Sequence, residues 1–598
     1  MSVCCMSCYC TTIGTQLAYY LPTHISCFVP GPLTFLGGNR HTPAEDCCPV
    51  KGLLMRIGCF GACAVAFVFG CLTTRLAAQP PQPKLIVQIT MDQLRGDLLR
   101  DYVPALSQGF RRLESGGFWI KHGDLNYAVT VSFPGHATLA TGMYPYHHGL
   151  VANEFWTQRD GKWVSVDFSD DANFHILGDP AATGESPKFL LCQTLGEWVK
   201  QADPRAKAIS LGSDENIPVA YAGHKSDGVY VFDPAANSFT TSTFYAARVA
   251  DWVNTFNQTE LPRYQQRSWN LVVAKQFVSL ASSQRTSLRG KPNPQFPHVY
   301  ENEKAGQPDH PQPYSAWFSS TPLKDEALFA LAARAVDAER LGQRGAVDYL
   351  AIDVDSTDQV GHKFGPRSLE QLDTLVRLDH ALARFLDHLD KVVGKNSYVV
   401  ALSADHGAAD PPEFRAGGRR ITTPEIEAVL DKIEAIAKAN KGTPAELADR
   451  IAAELKQVDF IADAYTPARL SEQSDDPFVR LYQRSFRPSF TTDFPLWTTK
   501  PREYHPARYG VVVRFKEGMI FDWAVSVHGS PYEYDRDVPI IFYGANIRHG
   551  SQPDGVMTVD VAPTLGAAAG VRPPAGLDGH PLSFVFSTGV DGSQSTGK

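Results

Sequence analysis

The sequence predicts an α/β fold built on a mostly parallel central sheet. Lys84 to Asp92, Ala346 to Asp355 and Tyr398 to Asp405 are short aliphatic runs, apolar on both faces, and each runs into a carboxylate. Strands covered on both faces read as continuous apolar runs, and such strands belong to parallel sheets. A helical pattern of Leu372, Leu375, Val376, Leu382, Phe385, Leu386 and Leu389 separates the second run from the third, as a crossover requires. Polar residues gather just after the runs, where open α/β sheets place their ligands.

Composition narrows the function before any motif does. With 598 residues, 43% apolar and 20% charged, the chain can bury a large core. A formal charge of -8 supplies no basic field for nucleic acid. Of the 11 cysteines only Cys192 lies beyond residue 80, so no disulfide framework holds the body together. From Met55 the chain runs through Arg56, an apolar stretch from Cys59 to Leu72, and Leu76-Ala77-Ala78, the layout of a secretory signal over 55–78. That stretch is too short for a comfortable membrane span, so no span is expected once the signal is removed. Translation is expected to begin at Met55, leaving residues 1–54 as an upstream extension without a folding role; a Cys-rich metal-binding tail is the alternative. Losing Arg56 and Arg75 with the signal takes the formal charge from -8 to -10, since charges within 1–54 cancel. Val68-Phe69-Gly70-Cys71 resembles a lipobox, which makes Cys71 a candidate for lipid attachment. The expected location is periplasmic or secreted.

In chain order, Asp92 ends the first run at the position where a functional acid belongs; a simple helix cap is the plainer reading. Asn126 to Gly142 reads as a polar loop turning into a short helix, with Pro134 as first helical residue and Gly142 as its stop. Ser132 then lies at the positive helix end, where free N–H groups favour an anion. Alone, it is only a turn or capping residue. Asn153 follows in a turn. Residues 155–345 are too long for a connecting loop and are expected to form an inserted cap, with one β-like run at Lys207 to Leu211. After the second run, Asp358 and His362 stand four apart, close enough to share an ion. His380 and His388 read as solvent or packing residues. After the third run come Asp405 and His406, a stronger ligand signal than any lone histidine. Residues 420–525 are expected to be a helical insertion, with Thr443 and Glu446 as a capping box. His528-Gly529-Ser530 precedes another core strand from Asp537, Val559 to Gly570 reads as a packed helix, and 588–598 as a disordered tail.

Strand ends gathered on one sheet edge would bring together Asp92, Ser132, Asp358, His362, Asp405, His406 and His528. Three carboxylates, three imidazoles and a hydroxyl suit two ions, with zinc favoured and manganese or cobalt as alternatives. This combination, with Thr90-Met91-Asp92, Ser132-Phe133-Pro134-Gly135-His136 and Asp405-His406-Gly407, resembles the alkaline phosphatase superfamily. It is most similar to its type I phosphodiesterase/nucleotide pyrophosphatase branch and to phosphate-irrepressible alkaline phosphatases. The likeness covers most of residues 84–586. It implies an alkaline-phosphatase-like three-layer sandwich and an enzyme hydrolysing phosphoric esters of small molecules. It also implies that Asp358, His362 and His528 hold one Zn2+, while Asp92, Asp405 and His406 hold a second that also takes the Ser132 oxygen. Ser132, where members of this branch commonly carry Thr, would attack phosphorus and form a phosphoserine. Asn153 would contact a phosphoryl oxygen, assisted by the N–H groups after Ser132.

One departure bears on substrate. Phosphate-irrepressible monoesterases carry a Lys-Asp-Arg triplet ahead of an Ala-Gly-His segment, and its cations grip the dianion. Here Asp214-Glu215-Asn216 precedes Ala222-Gly223-His224. Acids in place of cations penalise a dianion more than a monoanion, so phosphodiesters or nucleotide pyrophosphate bonds are expected over monoesters. A monoesterase, a phosphonate hydrolase and a non-catalytic binding protein are the alternatives. Sulfatases need an Arg that Ser132-Phe133-Pro134-Gly135-His136 lacks.

Overall fold

The computed structural model describes residues 82–587 except 215, 283–286, 289–290, 293–294, 306–312, 491–505 and 553–554. The readings of 1–54, 55–78, Cys71 and 588–598 lie outside the described residues. A ten-stranded sheet forms the centre. In chain order its strands are β1 (Leu85–Met91), β2 (Phe118–Asp124), β3 (Ala208–Gly212), β4 (Gly228–Asp233), β5 (Ser238–Thr240), β6 (Asp348–Val354), β7 (Tyr398–Ser403), β8 (Asp537–Gly544), β9 (Gly550–Gln552) and β10 (Val556–Met557). Their spatial order is β9-β2-β8-β7-β1-β6-β3-β4-β5, with β10 also beside β2. Only β8 and β5 run against their neighbours.

Alternation along β1 builds the layers. Leu85, Val87, Ile89 and Met91 join one buried cluster, packed by helices that include α1 (Gly96–Tyr102), α4 (Pro322–Ala338) and α6 (Leu369–Leu389). Ile86 faces the other cluster with Leu139, Leu195, Trp198 and Leu565, from α2 (Ser132–Thr141), α3 (Leu195–Ala202) and α9 (Val561–Ala568). Two helical layers thus enclose one sheet, the solution for strands apolar on both faces. Ser368 caps α6 by accepting the Gln371 N–H, and the seven apolar residues of its stripe are all buried.

Residues 155–345 are not one cap. They supply β3, β4 and β5 together with α3 and α4, all packed into the main core. Outside that core, small hairpins form in and beside the stretch, among them Glu154–Arg159 with Lys162–Asp167 and Asp170–Ile176 with Asp179–Glu185. The β-like run near Lys207 is a sheet strand because β6 offers it a parallel edge, which composition alone could not reveal. The stretch 420–525 stands apart from the central sheet around its own cluster. Its helices α7 (Thr423–Lys438) and α8 (Pro444–Leu455) both open on capping boxes, at Thr422 with Glu425 and at Thr443 with Glu446. Among the described residues no helix is long and apolar enough to cross a membrane.

Candidate metal centre and nucleophile

Three parallel strands deliver their acids to one edge. Asp92 follows β1, Asp405 follows β7, and Asp358 lies in α5 (Ser356–Phe364), which begins just beyond β6. His528 comes by a different route: it precedes β8, and because β8 runs antiparallel its beginning lies at the edge where β7 ends.

The side chains converge. His362 Nε2 is 3.2 Å from Asp358 Oδ1, and His528 Nε2 is 3.6 Å from the same oxygen. His406 Nε2 lies 3.2 Å from Asp92 Oδ1 and 3.3 Å from Asp405 Oδ2. The His406 and His528 rings stack at 3.7 Å between centroids. Asp358, His362 and His528 present ligand atoms to one point, and a second grouping of Asp92, Asp358 and His406 adjoins it. Every histidine is anchored from behind: Nδ1 donates to the carbonyl of Ser526 from His362 at 2.8 Å, of Thr130 from His528 at 3.0 Å and of Gly407 from His406 at 3.0 Å. A carbonyl only accepts, so each Nδ1 carries a proton, which leaves Nε2 as the nitrogen each ring can offer a metal.

Both oxygens of Asp92, Oδ2 of Asp405 and Nε2 of His406 are buried without a hydrogen-bond partner. Native structures rarely leave such atoms unsatisfied, and here they face one another. Burial, then the charges of Asp405 and Asp358, pushes the Asp92 carboxyl well above its ordinary range. Burial and the neighbouring His406 hold His528 down at about 3, while Asp358 outweighs burial to raise His362 to about 9. Crowded carboxylates and inward-facing Nε2 atoms are a donor set that fits divalent cations.

Ser132 is the first residue of α2, with Val131 as its cap, so Pro134 is the third helical residue rather than the first. Gly142 ends the helix at φ 69° as expected. The N–H groups after Ser132 are not free: Phe133 donates to Asn153 Oδ1 at 2.9 Å, Pro134 has none, and Gly135 donates to the Val131 carbonyl at 3.1 Å. Their expected assistance to an anion is therefore withdrawn. The Phe133 N–H engages Asn153 Oδ1 instead, which leaves Nδ2 as the donor end of that amide. Gly135 is required by packing, since a Cβ there would lie 2.4 Å from the Asp405 carbonyl oxygen.

Three supporting residues escaped the sequence reading. His136, fully buried, has Nε2 3.0 Å from Asp353 Oδ1 and Nδ1 2.9 Å from the Ser132 carbonyl and 3.2 Å from Asp405 Oδ2. Burial opposes its charge, but Asp405 and Asp353 outweigh it and raise His136 to about 10. Its place four after Ser132 was the only signal. Gln93, held at φ 64°, donates its backbone N–H to Asp405 Oδ1 at 3.2 Å and its side-chain amide to Asp358 Oδ1. A non-glycine residue in that conformation is retained where surroundings over-determine it. Asp353 is the penultimate residue of β6 and reads as a plain strand acid. His380 and His388 join no ligand group among the described residues.

The family model described as type I phosphodiesterase / nucleotide pyrophosphatase matches residues 86–489. The chain is 29% identical over 555 residues to alkaline phosphatase PafA of Elizabethkingia meningoseptica, covering 87% of this chain and 98% of that protein. It is 28% identical over 540 residues to alkaline phosphatase PhoV of Synechococcus elongatus, covering 84% and 93%. A crystal structure of a PafA variant superposes with a TM-score of 0.72 at 25% identity, over 85% of this chain and 99% of that one. The fold, the family match and these relatives agree: the chain belongs to the type I phosphodiesterase / nucleotide pyrophosphatase family of the alkaline phosphatase superfamily and is a phosphoric ester hydrolase.

Proposed function

We propose that this chain is an exported two-metal hydrolase that uses Ser132 as nucleophile and prefers phosphodiesters or nucleotide pyrophosphate bonds. The observation that carries the nucleophile assignment is the bracketing of Ser132. Two residues earlier, the Thr130 carbonyl anchors His528; its own carbonyl contacts His136, which reaches Asp405. The serine is thereby tied to both ligand groups by main-chain atoms. Asp358, His362 and His528 would hold one zinc ion, and Asp92, Asp405 and His406 the other. Bound there, such ions supply Lewis-acid stabilisation of the attacking and leaving oxygens.

Ser132 Oγ forms the bond to phosphorus as the leaving oxygen departs. Water then cleaves the phosphoserine, releasing the product and restoring the hydroxyl. Asn153 Nδ2 donates to a phosphoryl oxygen. The helix dipole of α2 favours negative charge at Ser132. The signal-like layout of residues 55–78 supports export.

Support for the diester preference comes from Asp214. Its backbone N–H lies 3.4 Å from Oδ2 of Asp353, whose other oxygen is 3.0 Å from His136 Nε2, and Asn216 Nδ2 is 3.4 Å from Asp167 Oδ2. Burial, then Asp353, raises Asp214 to about 6; burial, then Asp170, raises Asp167 to about 7. Both carry charge in the alkaline range, where a dianion is repelled most. A monoesterase is the second reading, favoured by the relatives named alkaline phosphatases. Steady-state kinetics with p-nitrophenyl phosphate and bis-p-nitrophenyl phosphate, alongside metal analysis, test the proposal. A higher kcat/KM for the diester with two bound ions is expected; a strong monoester preference overturns the substrate assignment.

A further inference from the structure

The turn from β6 into α5, three residues before Asp358, is gripped from outside its own element. Lys324 Nζ donates to Asp355 Oδ2 at 2.5 Å, with both side chains buried. The adjacent Asp325 Oδ2 accepts the Ser356 backbone N–H at 2.7 Å and the Ser356 hydroxyl as well. Ser213 Oγ accepts the Asp355 N–H at 3.0 Å. The Asp355 carbonyl in turn accepts the Asp358 N–H at 2.9 Å and that of Gln359 at 3.2 Å. The first turn of the ligand-bearing helix is thus suspended from the first turn of α4, where Pro322 opens the helix and Lys324 and Asp325 follow.

Charge explains why a lysine stands there. Burial, together with the carboxylates of Asp214, Asp358 and Asp353, pushes the Asp355 carboxyl well above its ordinary range, and Lys324 is the cation that acts against that push. Without the Lys324 ammonium the Asp355 side chain loses the buried ion pair that fixes its position. The Asp355 carbonyl that receives the Asp358 N–H is then held less firmly, and with it the first turn of α5.

We infer that Lys324 is a positioning residue for the metal centre: through Asp355 it fixes the start of α5 and thereby sets Asp358 and His362 against His528. The inference rests on Asp358, His362 and His528 being ligands. It differs from a purely structural role, in which the buried pair contributes to folding and the folded protein binds metal unchanged.

Two variants separate these roles. Lys324→Met with Asp355→Asn removes both charges together, and Lys324→Arg keeps the charge on a longer, planar head. Metal-free full-length protein is titrated with Co2+ and followed by visible d–d absorption, while thermal melts of the same metal-free samples report folding. The expected result is a near-wild-type Tm with Co2+ affinity lowered about ten- to a hundredfold for one of two equivalents, the scale on which outer partners of ligands act. The altered equivalent should also show a shifted absorption band. Wild-type Co2+ affinity and band shape in either folded variant overturn the inference. Asp358→Ala, measured alongside, keeps the two levels apart: if it binds both equivalents like wild type, the ligand assignment fails, whatever the Lys324 variants do.

Discussion

His528 Nδ1 donates to the Thr130 carbonyl at 3.0 Å, so the loop that ends in Ser132, the proposed nucleophile, and the loop that brings the last imidazole are one mechanical unit. Thr130 Oγ1 reinforces it by donating to the Ser530 carbonyl at 3.0 Å. Ser132 contributes only its main chain to that unit. Ser132→Ala is therefore expected to leave bound metal unchanged while lowering kcat at least about a thousandfold, as loss of a nucleophile does elsewhere. Metal analysis and single-turnover kinetics on one preparation check both halves.

Gly135 lets α2 lie against the backbone of Asp405. With a Cβ placed 2.4 Å from the Asp405 carbonyl oxygen, helix or ligand strand must shift. Gly135→Ala is expected to lose about 1–3 kcal/mol of stability, the range for overpacking, and to bind metal more weakly. Urea unfolding with and without chelator measures the two effects separately.

Substrate choice should respond to one charge. Asp214→Asn removes an acid linked through Asp353 to His136, and a dianion gains more from that than a monoanion. We expect the ratio of monoester to diester kcat/KM to rise about fivefold, the effect of roughly 1 kcal/mol between screened charges. Because Asp214 titrates at about 6, the rise should appear above that pH and fade below it. Parallel pH profiles for the two substrates provide the check.

Asp535 offers a pH test of stability away from the ligand set. Its Oδ2 accepts the Ser530 N–H at 2.7 Å, and burial raises the carboxyl to about 8. An acid whose folded pKa lies above its unfolded value favours folding most when protonated, so its contribution is full below about pH 4 and is lost as the pH rises through about 8. Asp535→Asn keeps an acceptor for Ser530 and removes the titration. Its Tm should match wild type near pH 4 and exceed it at pH 9, by on the order of a few kcal/mol in stability. Equal Tm differences at both pH values would contradict the assignment.

The fold was legible where burial writes a pattern. Leu85–Met91 and Tyr398–Ser403 announce themselves because both faces are covered, and the α6 stripe because one face is. Ala208–Gly212 was half-read, as a β-like run in a cap, since its membership of the sheet depends on an edge supplied over a hundred residues later by β6. The direction of β8 was silent for a similar reason: a buried antiparallel strand inside a parallel sheet has no composition of its own. Within the site, residues that meet at strand ends could be gathered from sequence alone. Support was harder to see. Gln93 acts through an unusual backbone angle, and Lys324 through a partner 31 residues away. The N–H groups after Ser132 were misjudged because nothing in the sequence shows that Asn153 occupies the first of them.

With the far nitrogen of every imidazole tied to a peptide oxygen, ring rotation in the centre is coupled to three separate loops. An ion that demands an octahedral shell of oxygen cannot simply reorient side chains; it must drag main chain along with them. Discrimination among divalent ions at the candidate centre would then depend on loop stiffness around Thr130, Gly407 and Ser526. Drift in preferred metal should follow changes at those positions, although none of them belongs to a candidate ligand group.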